Sequence, residues 1–344
     1  MTRTNKFVRM VKRPEGAPTP DIFELDEEAV RPLEDGEFLI RALYLAIDPA
    51  LVSRMRDENN YTPGVQPGEV MQGNLVGEVI ESRNPDVQVG ELRRGNMGMQ
   101  EYAIQTDPSA TLVVDPDICE PRLHLSVVGT TGLTALLSLE KIGQPKAGET
   151  VLISSGGSSV GTIAAQIAKA KGCRTVAIVS TPEKAKKMIA DFGYDAATHY
   201  RGRTVEDLTE ALREACPDGV DVYFDNTSGD ISSAVIDVFN MYARHIVIGR
   251  MAISHLADTS KDIGRRDNNA LLVKRIRKQG FVVFDEASNF PAATKQLAAW
   301  VADGSLIVKE DILDGIERAP EAFFRMMDGK SDGKQLVRIA RTES

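Results

Sequence analysis

Gly156, Ser158 and Gly161 come directly after an apolar, β-branched run, Val151-Leu-Ile153, in the stretch Thr150-Val-Leu-Ile-Ser-Ser-Gly-Gly-Ser-Ser-Val-Gly161. Small residues at that spacing turn a chain tightly and aim backbone N–H groups at an anion. The N-terminus of a succeeding helix adds its positive dipole end to the same place. The spacing is that of a dinucleotide pyrophosphate turn, with Ser158 where the middle glycine would stand. The residues at the tip of the next strand select the dinucleotide. An NAD site usually ends that strand in Asp or Glu, which holds the ribose 2′-hydroxyl. Here Val179 is followed by Ser180-Thr181-Pro182-Glu183-Lys184, with no acid at the strand tip. Hydroxyls and a lysine suit a 2′-phosphate instead. The predicted cofactor is therefore NADP, with Lys184 as the charge on its phosphate. Lys186 and Lys187 read as a solvated helix face.

Metal chemistry is not expected. Catalytic zinc needs three protein ligands from Cys, His or a carboxylate, yet no histidine precedes His124 and no cysteine precedes Cys119. The three cysteines, Cys119, Cys173 and Cys216, are far apart and odd in number, so neither a disulfide framework nor a thiol site is indicated. His124, His199 and His245 read as structural.

These residues need particular elements to position them. Val151–Ile153 reads as a buried parallel strand. Ile163, Ile167 and Ala170 mark one face of a helix closed by Gly172, and Thr175–Val179 is the second strand of a βαβ unit. Strands are also predicted at 220–224, 244–248 and 280–284, and helices at 132–139 and 292–302. That alternation predicts a parallel sheet wrapped by helices. The first third differs. Phe38–Ile47, Gly73–Glu81 and Gln100–Ile104 alternate like half-buried strands, and Lys334–Ala340 reads as a strand returning to them. The predicted fold is α/β: a Rossmann doubly wound parallel sheet plus a barrel-like, mostly antiparallel β catalytic domain. The expected division is a catalytic domain at 1–122, an NADP-binding domain at 123–307, and a return to the catalytic domain at 308–344. With 344 residues, 42% hydrophobic and 26% charged, the composition is that of an ordinary globular chain. A net charge of −9 argues against a general nucleic-acid binder. No apolar run approaches membrane-spanning length and no signal-peptide stretch opens the chain, so a cytoplasmic protein is expected.

In this order the chain resembles the zinc-free branch of the medium-chain dehydrogenase/reductase superfamily, that of the leukotriene hydroxydehydrogenases, prostaglandin reductases and plant double-bond reductases. The matching stretches are Gln66-Pro-Gly-Glu-Val-Met71, Gly77-Glu-Val-Ile-Glu-Ser82, Gln100-Glu-Tyr-Ala103, Gly132-Leu-Thr-Ala135 and Gly143 to Val151. They continue through Pro217 to Asn226, Gly280-Phe-Val-Val-Phe-Asp285 and Gly333-Lys334. The resemblance implies the family's GroES-like first domain, a homodimer, and NADPH-dependent reduction of the double bond of an α,β-unsaturated ketone or aldehyde. It also implies cofactor contacts: Ser158, Ser159, Val160 and Gly161 at the phosphate turn, Lys184 and Tyr200 at the 2′-phosphate beside the Thr181 hydroxyl already read there, Asn226 as the asparagine after the strand that carries Tyr223-Phe-Asp, and Phe281, Val282 and Val283 beside the nicotinamide. Ser331 falls where relatives carry an asparagine. The chain departs from the family where relatives carry pocket aromatics: Asp48-Pro49 is followed by Ala50, and Leu136 closes Gly132-Leu-Thr-Ala-Leu. Ile253-Ser-His-Leu256 replaces a tyrosine-bearing motif, leaving Ser254, His255 and Leu256 as candidates for that place.

Reducing an enone requires a hydride, a donor to the developing enolate oxygen and a proton for the α-carbon. Tyr61 is the predicted donor, since a phenol gives a hydrogen bond while neutral. His255 is the second candidate, because imidazole can deliver a proton near neutral pH. Two other readings stand beside the ene reductase: a quinone reductase of the same superfamily, and a dinucleotide-binding sensor or scaffold that has lost efficient catalysis.

Overall fold

A computed structural model of the chain describes residues 3–56, 63–254, 256 and 259–340. The chain divides into two compact units, 1–129 with 309–344, and 130–308.

The first unit opens with an antiparallel pair, β1 (Thr4–Met10) and β2 (Phe23–Ala29). β3 (Phe38–Ala46), a short helix α1 (Leu51–Arg54), β4 (Asn74–Ser82), β5 (Leu92–Asn96), β6 (Tyr102–Gln105) and β7 (Leu112–Val114) come next. β3 is the hub of its sheet, antiparallel to both β4 and β6. Inward residues Phe38, Ile40 and Leu45 of β3 meet Leu75 and Val79 of β4 in one core. Single bridges, Phe7 to Gln100 and Arg9 to Val70, tie the first ribbon to the segments just before β6 and β4.

The second unit starts with α2 (Thr130–Ser138). It then alternates β8 (Thr150–Ser154), α3 (Ser159–Ala170), β9 (Arg174–Val179), α4 (Pro182–Phe192), β10 (Ala196–His199), α5 (Val205–Ala215), β11 (Val220–Asp225), α6 (Gly229–Val235), β12 (Phe239–Val247), α7 (Asn268–Lys274), β13 (Arg277–Gly280) and α8 (Phe290–Ala302). The six strands are parallel, in the order β10-β9-β8-β11-β12-β13. α3 packs on α4 and α5 on α6, as right-handed crossovers from this strand order require. β8 is buried along its whole length, as a strand covered on both faces must be.

The chain then returns to the first unit with β14 (Glu310–Asp314), α9 (Ala319–Met327) and β15 (Lys334–Arg338). β15 pairs antiparallel with β3 and parallel with β14. Phe323 of α9 enters the same core as β3 and β4.

One predicted strand is corrected. Residues 280–284 are not a strand: β13 ends at Gly280 and a 3₁₀ segment covers Val283–Asn289. The reason lies in its neighbour. Past Val247, the Ile248 and Gly249 amides turn to the Asp225 carbonyl. After the Phe281 amide bonds the Val247 carbonyl (3.0 Å), the edge that 282–284 would need has gone.

Candidate functional site

The strand order reverses between β8 and β11. From β8 the chain winds outward through β9 to β10, then crosses back to β11 and winds the other way. Open α/β sheets bind ligands outside the carboxyl ends of their strands at such a reversal. The second-unit residues predicted to meet the cofactor all follow the carboxyl ends of its strands: Ser158–Gly161 past β8, Thr181 and Lys184 past β9, Tyr200 past β10, Asn226 past β11, Ser254 past β12, and Phe281–Val283 past β13.

The turn after β8 is built from small residues for steric reasons. Ser155 adopts φ +50°, and the Ser158 amide closes the turn on the Ser155 carbonyl (2.8 Å). A Cβ on Gly161 would lie 2.7 Å from the Ser155 oxygen, and one on Gly156 would lie 2.7 Å from the Ala177 side chain. Ser158 is the N-cap of α3, its hydroxyl accepting the Gly161 amide at 3.2 Å. The serine in place of the middle glycine thus engages one helix-terminal N–H itself. Gly157 is exposed and meets no side chain or backbone closer than 3.4 Å at its Cβ position. A tight turn, an exposed glycine and a buried glycine at the helix start make a cradle that fits a pyrophosphate.

Beneath the turn lies a residue that sequence reasoning missed. Tyr194 is 2% exposed, and its hydroxyl sits 2.9 Å from the Gly156 carbonyl and 3.0 Å from the Gly161 carbonyl. Burial holds the phenol well above its ordinary range, so it stays protonated and can donate. The only local hint was a tyrosine after Gly193, in a stretch that otherwise reads as a helix end.

At the tip of β9, Thr181 caps α4, accepting the Lys184 amide at 3.3 Å. Lys184 and Tyr200 are half-buried, and Tyr200 packs against the core formed by β8, β9, β11 and α5. Glu183, on the first turn of α4, is held below the ordinary carboxylate range by its own backbone N–H and the Thr181 hydroxyl.

Asn226 is buried and stitches β11 to β8: its amide bonds the Ser154 hydroxyl (2.8 Å) and its side-chain N–H the Ser154 carbonyl (2.7 Å). The Met251 amide reaches the Asn226 carbonyl at 3.3 Å. Gly249 is tied to this approach, since a Cβ there would stand 2.8 Å from the same oxygen. Ser254 ends a short 3₁₀ turn, its hydroxyl donating to the Met251 carbonyl (2.9 Å). Phe281 and Val282 are half-buried and Val283 is buried.

Ser331 belongs to the first unit and is itself half-buried, in the segment between α9 and β15. Two residues on, Gly333 takes φ +111° and its Cβ would fall 2.2 Å from the Lys309 carbonyl oxygen, so only glycine fits. Lys334 pairs with Asp48. Leu136 is fully buried in α2. Tyr61 and His255 lie outside the described residues. Among the described residues no group of three His, Cys, Asp or Glu side chains is placed to hold a metal ion.

Residues 6–113 match the family described as the N-terminal domain of oxidoreductase, and residues 159–301 that described as zinc-binding dehydrogenase. The NADPH-dependent curcumin reductase of Escherichia coli (strain K12) is 35% identical, covering 98% of this chain and 97% of its own. The NADP(+)-dependent 2-alkenal reductase of Nicotiana tabacum is 33% identical, covering 98% of both. A crystal structure of CurA from Vibrio vulnificus in complex with NADPH superimposes with a TM-score of 0.88 at 32% identity, over 98% of this chain and 99% of that one. Agreement of sequence and fold over nearly the whole length means that the chain belongs to the zinc-free branch of the medium-chain dehydrogenase/reductase superfamily, that of the double-bond and prostaglandin reductases.

Proposed function

We propose that the protein reduces the carbon–carbon double bond of α,β-unsaturated ketones or aldehydes with NADPH, the hydride going to the β-carbon. One observation carries this reading. The phosphate turn, the acid-free β9 tip and Asn226 gather at the strand-order reversal, in a chain whose near-full-length relatives are named curcumin reductase and 2-alkenal reductase. NADPH, when bound, supplies the hydride. The Ser158–Gly161 turn and the N-terminus of α3 hold the pyrophosphate. Thr181, Lys184 and Tyr200 hold the 2′-phosphate end, Lys184 by its charge. Asn226, Ser254 and the Phe281–Val283 segment border the nicotinamide end, where apolar side chains keep water from the reacting carbon. Ser331 is a further proposed cofactor contact. Tyr61 donates to the enolate oxygen, and His255 is the alternative proton source.

In this reading 1–122 and 308–344 act as the catalytic domain and 123–307 as the NADP-binding domain. The protein works in the cytoplasm as a homodimer. What supports the dimer is the free edge of the parallel sheet: β13 is exposed at every residue, with exposed Tyr242, Leu272 and Val273 beside it. The pairing edge in this reading is 277–280.

The test is NADPH consumption against enals, enones and quinones, with each product identified by mass, before and after dialysis against a strong chelator. The reading expects saturated ketones or aldehydes at a rate the chelator leaves unchanged. Turnover of quinones alone, or a rate restored only by zinc, would overturn it.

A further inference from the structure

The carboxylate of Asp225 ends β11 and is 1% exposed. Oδ1 accepts from the hydroxyls of Ser154 (3.2 Å), Tyr223 (3.1 Å) and Thr227 (3.3 Å), and from the backbone N–H groups of Thr227 (3.0 Å) and Ser228 (2.9 Å). Oδ2 accepts the Ser232 hydroxyl at 2.6 Å and faces Nε2 of His245 at 3.0 Å. These bonds shape the turn after β11. Ser228 sits at φ +58°, where a residue with a Cβ is strained. It is held there by its N–H on Asp225 and by its hydroxyl on the Gly249 carbonyl (3.0 Å). The Ser154 hydroxyl that donates to Asp225 accepts the Asn226 amide. The backbone N–H groups of Asn226, Thr227 and Ser228 thus all depend, directly or through one hydroxyl, on where that carboxylate lies.

His245 holds the far side of it. It stands on β12 directly across from Tyr223 in the parallel register and is 4% exposed. Its ring packs at a tilt against Tyr223 at 4.8 Å and Phe239 at 5.8 Å between centroids. A core strand position between two aromatic rings suits an apolar side chain. An imidazole there costs desolvation unless its nitrogen is paired, and here Nε2 is paired to Asp225. Among the described side chains that touch the carboxylate, the imidazole brings the one ring nitrogen and the others bring hydroxyls.

We infer that His245 is a positioning residue for the cofactor site: its Nε2–H fixes the Asp225 carboxylate, which in turn fixes the Asn226–Ser228 turn at the nicotinamide end. The inference rests on the proposed place of Asn226 beside the nicotinamide.

The test uses the full-length protein, with kcat on the best enone and NADPH affinity measured well below each variant's melting temperature. His245→Phe keeps the aromatic packing and removes the donor; a cavity of about 390 Å³ beside the ring gives it room. His245→Gln keeps an N–H near the Nε2 position. The expected result is a fall in kcat of about ten-fold or more for His245→Phe, and recovery to within about three-fold of the native rate for His245→Gln. A purely structural histidine would lower the melting temperature of both variants and move kcat in neither. Native kcat in His245→Phe overturns the inference, as does equal loss in both variants, which would point to ring shape rather than the donor. Should His245→Phe not fold, His245→Asn, too short to reach Asp225, replaces it with the same expected loss. Asn226→Ala separates the two levels. If it keeps native kcat, the site reading fails; if it loses kcat while His245→Phe does not, only the positioning role fails.

Discussion

Two alanine substitutions four residues apart in the same turn should differ in what they do to cofactor binding. A Cβ at Gly161 would stand 2.7 Å from the Ser155 oxygen and 3.1 and 3.2 Å from the Gly156 Cα and carbonyl carbon. All three are backbone atoms, so the turn itself must move. Overpacking of this kind costs about 1–3 kcal/mol. Gly161 also lies inside α3, where alanine is favoured over glycine by about 1 kcal/mol. The two effects partly offset one another in stability, and Gly161→Ala should melt within a few degrees of the native protein. Cofactor binding has no such offset, because the displaced atoms carry the amides that would meet the pyrophosphate. A loss near 1.4 kcal/mol is ten-fold in affinity, so NADPH should bind about ten-fold or more weakly. At Gly157 a Cβ would meet only the Met188 side chain, at 3.4 and 3.5 Å, and Val179 at 3.8 Å. Gly157→Ala should keep the native melting temperature and lose less NADPH affinity than Gly161→Ala. Calorimetric titration with NADPH and a thermal melt on each variant decide the matter. Equal NADPH affinity in the two variants would refute the steric argument for this turn.

Lys184→Ala should weaken NADPH by roughly ten-fold while leaving NADH nearly unchanged, because a charge-assisted hydrogen bond is worth about 1.5–3 kcal/mol; equal losses for both cofactors by titration would remove Lys184 from the 2′-phosphate. Tyr194→Phe removes the O–H that lies within reach of two buried carbonyls, at a cost of about 1–3 kcal/mol. It should lower the melting temperature and NADPH affinity together, and a variant unchanged in both would show that the phenol braces nothing. Burial, with the Arg94 guanidinium adding to it, pushes the buried His124 imidazole down to about 4. Unfolded, it protonates near 6.5, so between the two values the unfolded chain binds more protons and stability falls as pH drops through that window. Denaturant titrations at pH 7 and 5 should show a smaller difference in His124→Gln than in the native chain. Light scattering at micromolar concentration should give a mass near twice 37.5 kDa, and a monomer there would end the dimer proposal.

Short-range features were legible in the residues. Strand periodicity, the turn with its glycines and the missing acid after Val179 each depend on neighbours a few positions away. They led to the βαβ unit, the phosphate turn and NADP. Side-chain roles within those segments were less legible. Ser158 and Thr181 were read as phosphate ligands, and both also cap the helix that comes after them, a double use that spacing alone does not distinguish.

Tertiary structure decided what depends on pairing between distant strands. Asp225 and His245 are twenty residues apart and look like two ordinary strand positions until β11 and β12 align in parallel and face them onto one another. Tyr194 reaches the Gly156 and Gly161 carbonyls only because β9 and α4 fold it back under the turn. Residues 282–284 look like a strand, and leave the sheet because their would-be partner has already bent toward Asp225. Local preferences dictate which elements form; the convergence of buried polar groups is set by strand order and register, which bring together atoms whose separation along the chain carries no periodic signal.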